Sequence, residues 1–158
     1  MNRAHALRTI CLGGLVVGAL DGTAAVTDAA LQGVGPTRLF QFVAAGLLGR
    51  ASFQGGLATV LLGVFLEFFI ALCVMAAYYG ASRRFPVLVR HAVLCGMLYG
   101  IFVFFFMNTL VVPLSSAPRG PFHLSRWLTQ IFIHMFFVGL PAALVARAST
   151  LRRTSNGV

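Results

Sequence analysis

The sequence predicts an all-α integral membrane protein, a four-helix bundle with a short interfacial or re-entrant helix between spans one and two. Three observations carry that prediction. The 158 residues are 59 % hydrophobic and 9 % charged, with a mean hydropathy of +0.91, far too apolar for a soluble domain. Four apolar stretches each reach the roughly 20 residues that cross a bilayer. The twelve cations are all arginines, set in ones and twos beside those stretches, as membrane-flanking charge is. Residues 1–158 read as a single transmembrane domain, with no room for a separate soluble one.

The first span runs from about Leu7 to Ala30. Its opening also resembles a secretory leader, because Arg3 and Arg8 precede an apolar run to Leu20 and then the small residues Thr23, Ala24 and Ala25. Gly14, Gly18 and Gly22 recur every four residues, which suits close helix packing better than a discarded leader. Between Pro36 and Gln54 the chain is too long for a bare turn. Arg38 to Arg50 is too short to span and too apolar for a solvated loop, so it predicts a short helix lying on the membrane or dipping into it.

The second span covers about Gly56 to Tyr79, with Tyr78 and Tyr79 marking one membrane interface. The third covers about Pro86 to Leu114 and exceeds the length needed, which predicts tilt or projection. Pro86 suits its first turn, where no donor is lost. The fourth covers about Ser125 to Ala146, with Trp127 at its interface. Pro141, after Gly139, should kink it.

Arginine counts set the orientation. Arg3, Arg8, Arg83, Arg84, Arg90, Arg147, Arg152 and Arg153 share one side, against Arg38, Arg50, Arg119 and Arg126 on the other. The richer side is expected to be cytoplasmic, which puts both termini inside.

All three carboxylates lie inside apolar stretches: Asp21 and Asp28 in the first, Glu67 at the centre of the second. An Asp at mid-helix costs roughly 2.5–3.5 kcal/mol on insertion scales, so such groups face partners or water. Positions i, i+4 and i+7 share a helix face. One stripe holds Gly14, Gly18, Asp21, Ala25 and Asp28, and another holds Gly63, Glu67 and Ala71. Both acids thus sit among the small residues that membrane helices turn toward each other. Gln130 and His134 share a face of the fourth span, and Asn108 lies near one end of the third. At 1.5 Å per residue, Asp21, Glu67 and His134 fall at one depth, roughly 12–15 Å below the outer surface. The expectation is a buried polar layer of Asp21, Glu67, His134, Asn108 and Gln130. Gly14, Gly18, Gly22, Gly63 and Ala71 would serve helix packing. Asp28, near the surface, reads as solvated or as capping a helix end.

Such a layer suits proton relays and ion pathways, or serves as interhelical hydrogen-bond glue. No phosphate loop, paired-cysteine motif, HExxH or GxSxG occurs, so no catalytic residue and no cofactor is assigned. One intramembrane histidine is too few for a transmembrane b-type haem. Asp21, Glu67 and His134 suit a metal by type, yet no local spacing supports one, and no metal is assigned. Cys11, Cys73 and Cys95 are too scattered for a disulfide framework and read as small hydrophobes. The net charge of +9 is spread along membrane flanks, which excludes nucleic acid as a partner.

Tyr99–Ser115 (YGIFVFFFMNTLVVPLS) and His134–Arg147 (HMFFVGLPAALVAR) resemble segments of small four-span bacterial inner-membrane proteins of unknown function. The resemblance implies a bacterial inner membrane and carries no activity. Three function classes follow. The first is a multi-pass membrane protein that handles a proton or small cation. The second is a structural or partner-binding accessory subunit. The third, an intramembrane enzyme, would need a polar pocket open to one side. The partners expected are the lipid bilayer and a second membrane protein or second copy, with the Gly14, Gly18 and Gly22 stripe as candidate dimer interface.

Overall fold

The computed structural model describes residues 3–118 and 123–155. Arg119 lies outside them, as do the side chains of Arg152 and Arg153. Among the described residues every regular element is helical: α1 (Arg3–Leu31), α2 (Pro36–Leu48), α3 (Gly56–Arg84), α4 (Val87–Arg90), α5 (Ala92–Phe106), α6 (Val112–Leu114), α7 (Leu124–Ile133) and α8 (Leu140–Ser155). A 3₁₀ stretch, Gly49–Gln54, follows α2. Four helical runs are long and apolar enough to cross a membrane: Arg3–Leu31, Gly56–Arg84, Ala92–Leu114 and Leu124–Leu151.

Small residues set the packing. A side chain at Gly13, Gly14 or Gly18 would collide with Met75, Leu72 or Phe68 of α3, so α1 rests directly on α3. The stripe proposed from sequence as a dimer interface is thereby covered within the chain. Gly63 receives the backbone of Phe40, which seats α2 against the first turns of α3. Gly96 and Gly100 of α5 meet the backbone of the fourth run at Gly139 and His134.

The core sits at the end of the bundle that holds both termini. Val17, Met75, Tyr78, Val103, Val138, Ala142 and Ala146 are buried there together. Tyr78 and Tyr79, expected at a membrane interface, are instead buried. The Tyr78 hydroxyl donates to the Leu88 carbonyl at 3.0 Å and that of Tyr99 to Val74 at 2.8 Å, each finding an acceptor that makes burial of a polar tip affordable. His5 Nε2 lies 3.0 Å from Ser149 Oγ, which lies 2.8 Å from Thr9 Oγ1, tying the first turns of α1 to the last of α8.

Two elements depart from expectation. The third span does not project as one long helix. A short turn, α4, ends at His91 (φ −113°, ψ 48°), and α5 starts afresh at Ala92. The third and fourth spans each contain a wide π segment, Met107–Val111 and His134–Gly139. Each lies just before a proline, Pro113 or Pro141. A proline removes one helical donor and its ring crowds the carbonyl four residues back, and a widened turn relieves both. The kink foreseen at Pro141 takes this form.

The short helix spans Pro36–Leu48, beginning two residues earlier than Arg38. Proline at its first turn and Gly49 (φ 61°) at its end fit the preferences of helix termini. Ala44 and Ala45 are fully buried.

Candidate functional site

Away from the packed core, the helices part around a cavity of about 280 Å³. α1 contributes Asp21, α3 Glu67, the third span Asn108, and the fourth Gln130 and His134. Val43 and Gly46 of α2 complete the wall.

The two acids come from neighbouring helices to one wall. A Cβ at Gly22 would lie 3.9 Å from Glu67 Cγ, so the Glu67 stem runs along α1 beside Asp21. Both side chains line the same cavity. The absence of a side chain at Gly22 gives the glutamate room there.

His134 lines the same cavity from the fourth span. Its Nδ1 lies 2.8 Å from the Gln130 carbonyl on its own helix. A carbonyl oxygen only accepts, so Nδ1 carries a proton and Nε2 is the ring nitrogen left for other chemistry. The ring packs edge-on to Phe104, centroids 5.5 Å apart. Gly100 fixes its backbone, because α5 lies directly on the His134 carbonyl. Asn108 donates to the Phe104 carbonyl at 2.9 Å, also within its own helix.

Gln130 bonds elsewhere than expected. Its Nε2 donates to Asp28 Oδ2 at 3.0 Å, and Gln32 donates to the same oxygen at 2.8 Å. Asp28, read from sequence as merely solvated or capping, thus joins α1 to α7. The signal available was its seven-residue spacing from Asp21, which puts both on one face.

The arrangement is not a buried layer. Asp21, Glu67, His134, Asn108 and Gln130 are all only partly buried. They line an opening instead of filling a core. Of the packing residues, Gly14, Gly18, Gly63 and Ala71 are buried, and Gly22 stays partly open beside Glu67.

Sequence reasoning missed three features. Gly96, Gly100 and Gly139 form a backbone-to-backbone helix contact, signalled by the four-residue spacing of the first two. The π segments have only their following prolines as signal. The His5, Thr9 and Ser149 cluster joins distant ends of the chain and leaves no local signature.

Among the described residues no three His, Cys, Asp or Glu side chains are grouped to hold a metal ion. The chain matches no family model, no curated protein and no solved structure. The chemistry must therefore be read from the cavity itself: two carboxyl groups on one wall, an imidazole with one committed nitrogen, and walls that are otherwise mostly apolar.

Proposed function

We propose that this chain is a multi-pass protein of the bacterial inner membrane, non-enzymatic, with both termini cytoplasmic, that handles protons or small cations through its central cavity. The observation that carries the reading is the juxtaposition of Asp21 and Glu67 at the wall of that cavity. Two carboxylates side by side repel when both are ionised, so a proton or another cation held between them relieves that repulsion. His134 on the fourth span also lines the cavity and offers a second site for a proton.

The gradient of packing supports the same reading. The core closes the bundle at the end with the termini, and the cavity occupies the other half, next to α2. We place α2 at the outer interface with its middle dipping inward, since Phe40 meets Gly63 roughly 10 Å along α3.

The test is a proteoliposome assay in which an internal pH dye follows proton movement after a potential is imposed. Asp21→Asn and Glu67→Gln are each expected to reduce the response at least tenfold. A second reading, an accessory subunit in which polar groups only hold helices together, draws on the Asp28–Gln130 bond between α1 and α7. If both variants respond to pH as the parent does and differ only in thermal stability, the accessory reading replaces the first.

A further inference from the structure

The cavity's size and lining narrow the cation it takes, an inference that rests on the cation reading above. About 280 Å³ is the room of roughly nine waters at ~30 Å³ each, near the lower end of pockets that hold organic molecules. A desolvated hard metal ion needs about six or more oxygen donors around it. Here the two carboxyl groups occupy one wall, and among the described residues no metal-ligand group of three forms. Between that wall and His134 the surface is largely hydrocarbon, with Val17, Val103, Val111 and Val138 on it. Such a surface gives nothing to the hydration shell of an inorganic ion. It does bury the methylene or ring carbons of an organic one. Among the described residues no arginine lines the cavity, so the charge of its described lining is that of the acids, in a chain whose net charge is +9.

We propose that the cavity binds a small organic monocation, a protonated amine on an apolar body, with its ammonium at Asp21 and Glu67 and its carbons against Val103, Val111 and Val138. An ammonium group carries three donors and no acceptor, which matches a pair of carboxyl groups. An ammonium and a proton each offset the charge of the pair, so the amine and the proton compete for one place.

Benzylamine is the probe, titrated calorimetrically into the full chain in nanodiscs of zwitterionic lipid. Saturable binding is expected, weakened at least tenfold by Asp21→Asn or Glu67→Gln. Benzyl alcohol, nearly the same shape without the charge, is expected to bind at least tenfold more weakly. Val111→Phe fills the apolar wall and leaves both acids in place. It is expected to abolish benzylamine binding, and it decides the matter even where an acid variant does not fold. Equal binding of amine and alcohol overturns the proposal in favour of an uncharged apolar slot. Proton movement dependent on Asp21 and Glu67, with no benzylamine binding at millimolar concentration, overturns the organic-cation inference alone. Absence of both overturns this inference and the reading beneath it.

Discussion

Gly139→Ala is the most direct probe of what holds the cavity open at one end and shut at the other. A Cβ built at Gly139 would lie 2.7 Å from Gly100 Cα and nearer still to the Gly100 nitrogen and the Gly96 oxygen. All three obstructing atoms belong to backbone, so no side chain can rotate aside. Ordinary contact begins at 3.4 Å, so α5 and the fourth span must part by more than the step from 2.7 Å. Parting them also loosens Gly96 from Ala143 and Gly100 from His134, and dispersion falls off steeply with such gaps. Overpacking of this kind costs about 1–3 kcal/mol, and rigid obstacles push toward the upper figure. For a chain of this length each kcal/mol moves Tm by about 2–4 °C, which gives a drop of about 4–12 °C. The assay is thermal unfolding in detergent followed by Trp127 fluorescence. Gly80→Ala is the control: it lies in α3 with no atom within 4 Å of its Cβ position, and alanine favours the helix over glycine. It should melt at or above the parent. A Gly139→Ala protein that melts with the parent, or a Gly80→Ala protein that melts as low, would refute the reasoning.

Other measurements reach other parts of the molecule. Gln130→Ala and Asp28→Ala each break the bond from α7 to α1, and a double-mutant cycle should give a coupling of about 0.6 kcal/mol, the usual size for interhelical hydrogen bonds in membranes. Ser149→Ala removes the partner of both His5 and Thr9. It should cost about 1 kcal/mol and raise amide exchange in the first turns of α1, whereas unchanged exchange would show the cluster to be idle. Reporter fusions at Phe85 and at Ser116 should read cytoplasm and periplasm, and the reverse result would invert the orientation. Tyr99→Phe, which removes the donor to Val74, should lower Tm without changing benzylamine affinity.

The four spans were legible because span length and apolarity are local properties. That Asp21, Glu67 and His134 belong to one region was legible in part, since rise per residue fixes how far each lies along its helix. What that rise does not fix is lateral position. Asp21 and Glu67 come together because α1 and α3 pack at Gly14 and Gly18, whereas the cavity they share with His134 is one that no one-dimensional pattern announces. Partial exposure escaped notice for the same reason, because the space between helices depends on where α2 seats. The third span was misread at its start, where the break at His91 is made by a turn of four residues that hydropathy passes over. Gln130 was placed on the right face, yet its partner was the acid dismissed as peripheral. Choosing among nearby acceptors takes distances, not periodicity.

The two wide turns have a consequence for how these helices keep time along their length. Gln130, His134, Val138, Ala142 and Ala146 recur every fourth residue, as do Gly96, Gly100, Phe104, Asn108 and Val112. In a plain α-helix a step of four overshoots the turn by 40°, and a row of five would wind roughly 160° around the axis. A turn that holds more residues takes back part of that overshoot. Each proline therefore corrects a helical phase: the small residues that press two backbones together and the polar residues that face the cavity stay on one line. Adding a single residue within Met107–Val111 or His134–Gly139, where the turn is already widened, would swing one half against the other by about 100°. Asn108 or His134 would then leave the cavity. Length in these two turns is thus as tightly held as residue identity, and an indel there is a functional mutation even when every named side chain is kept.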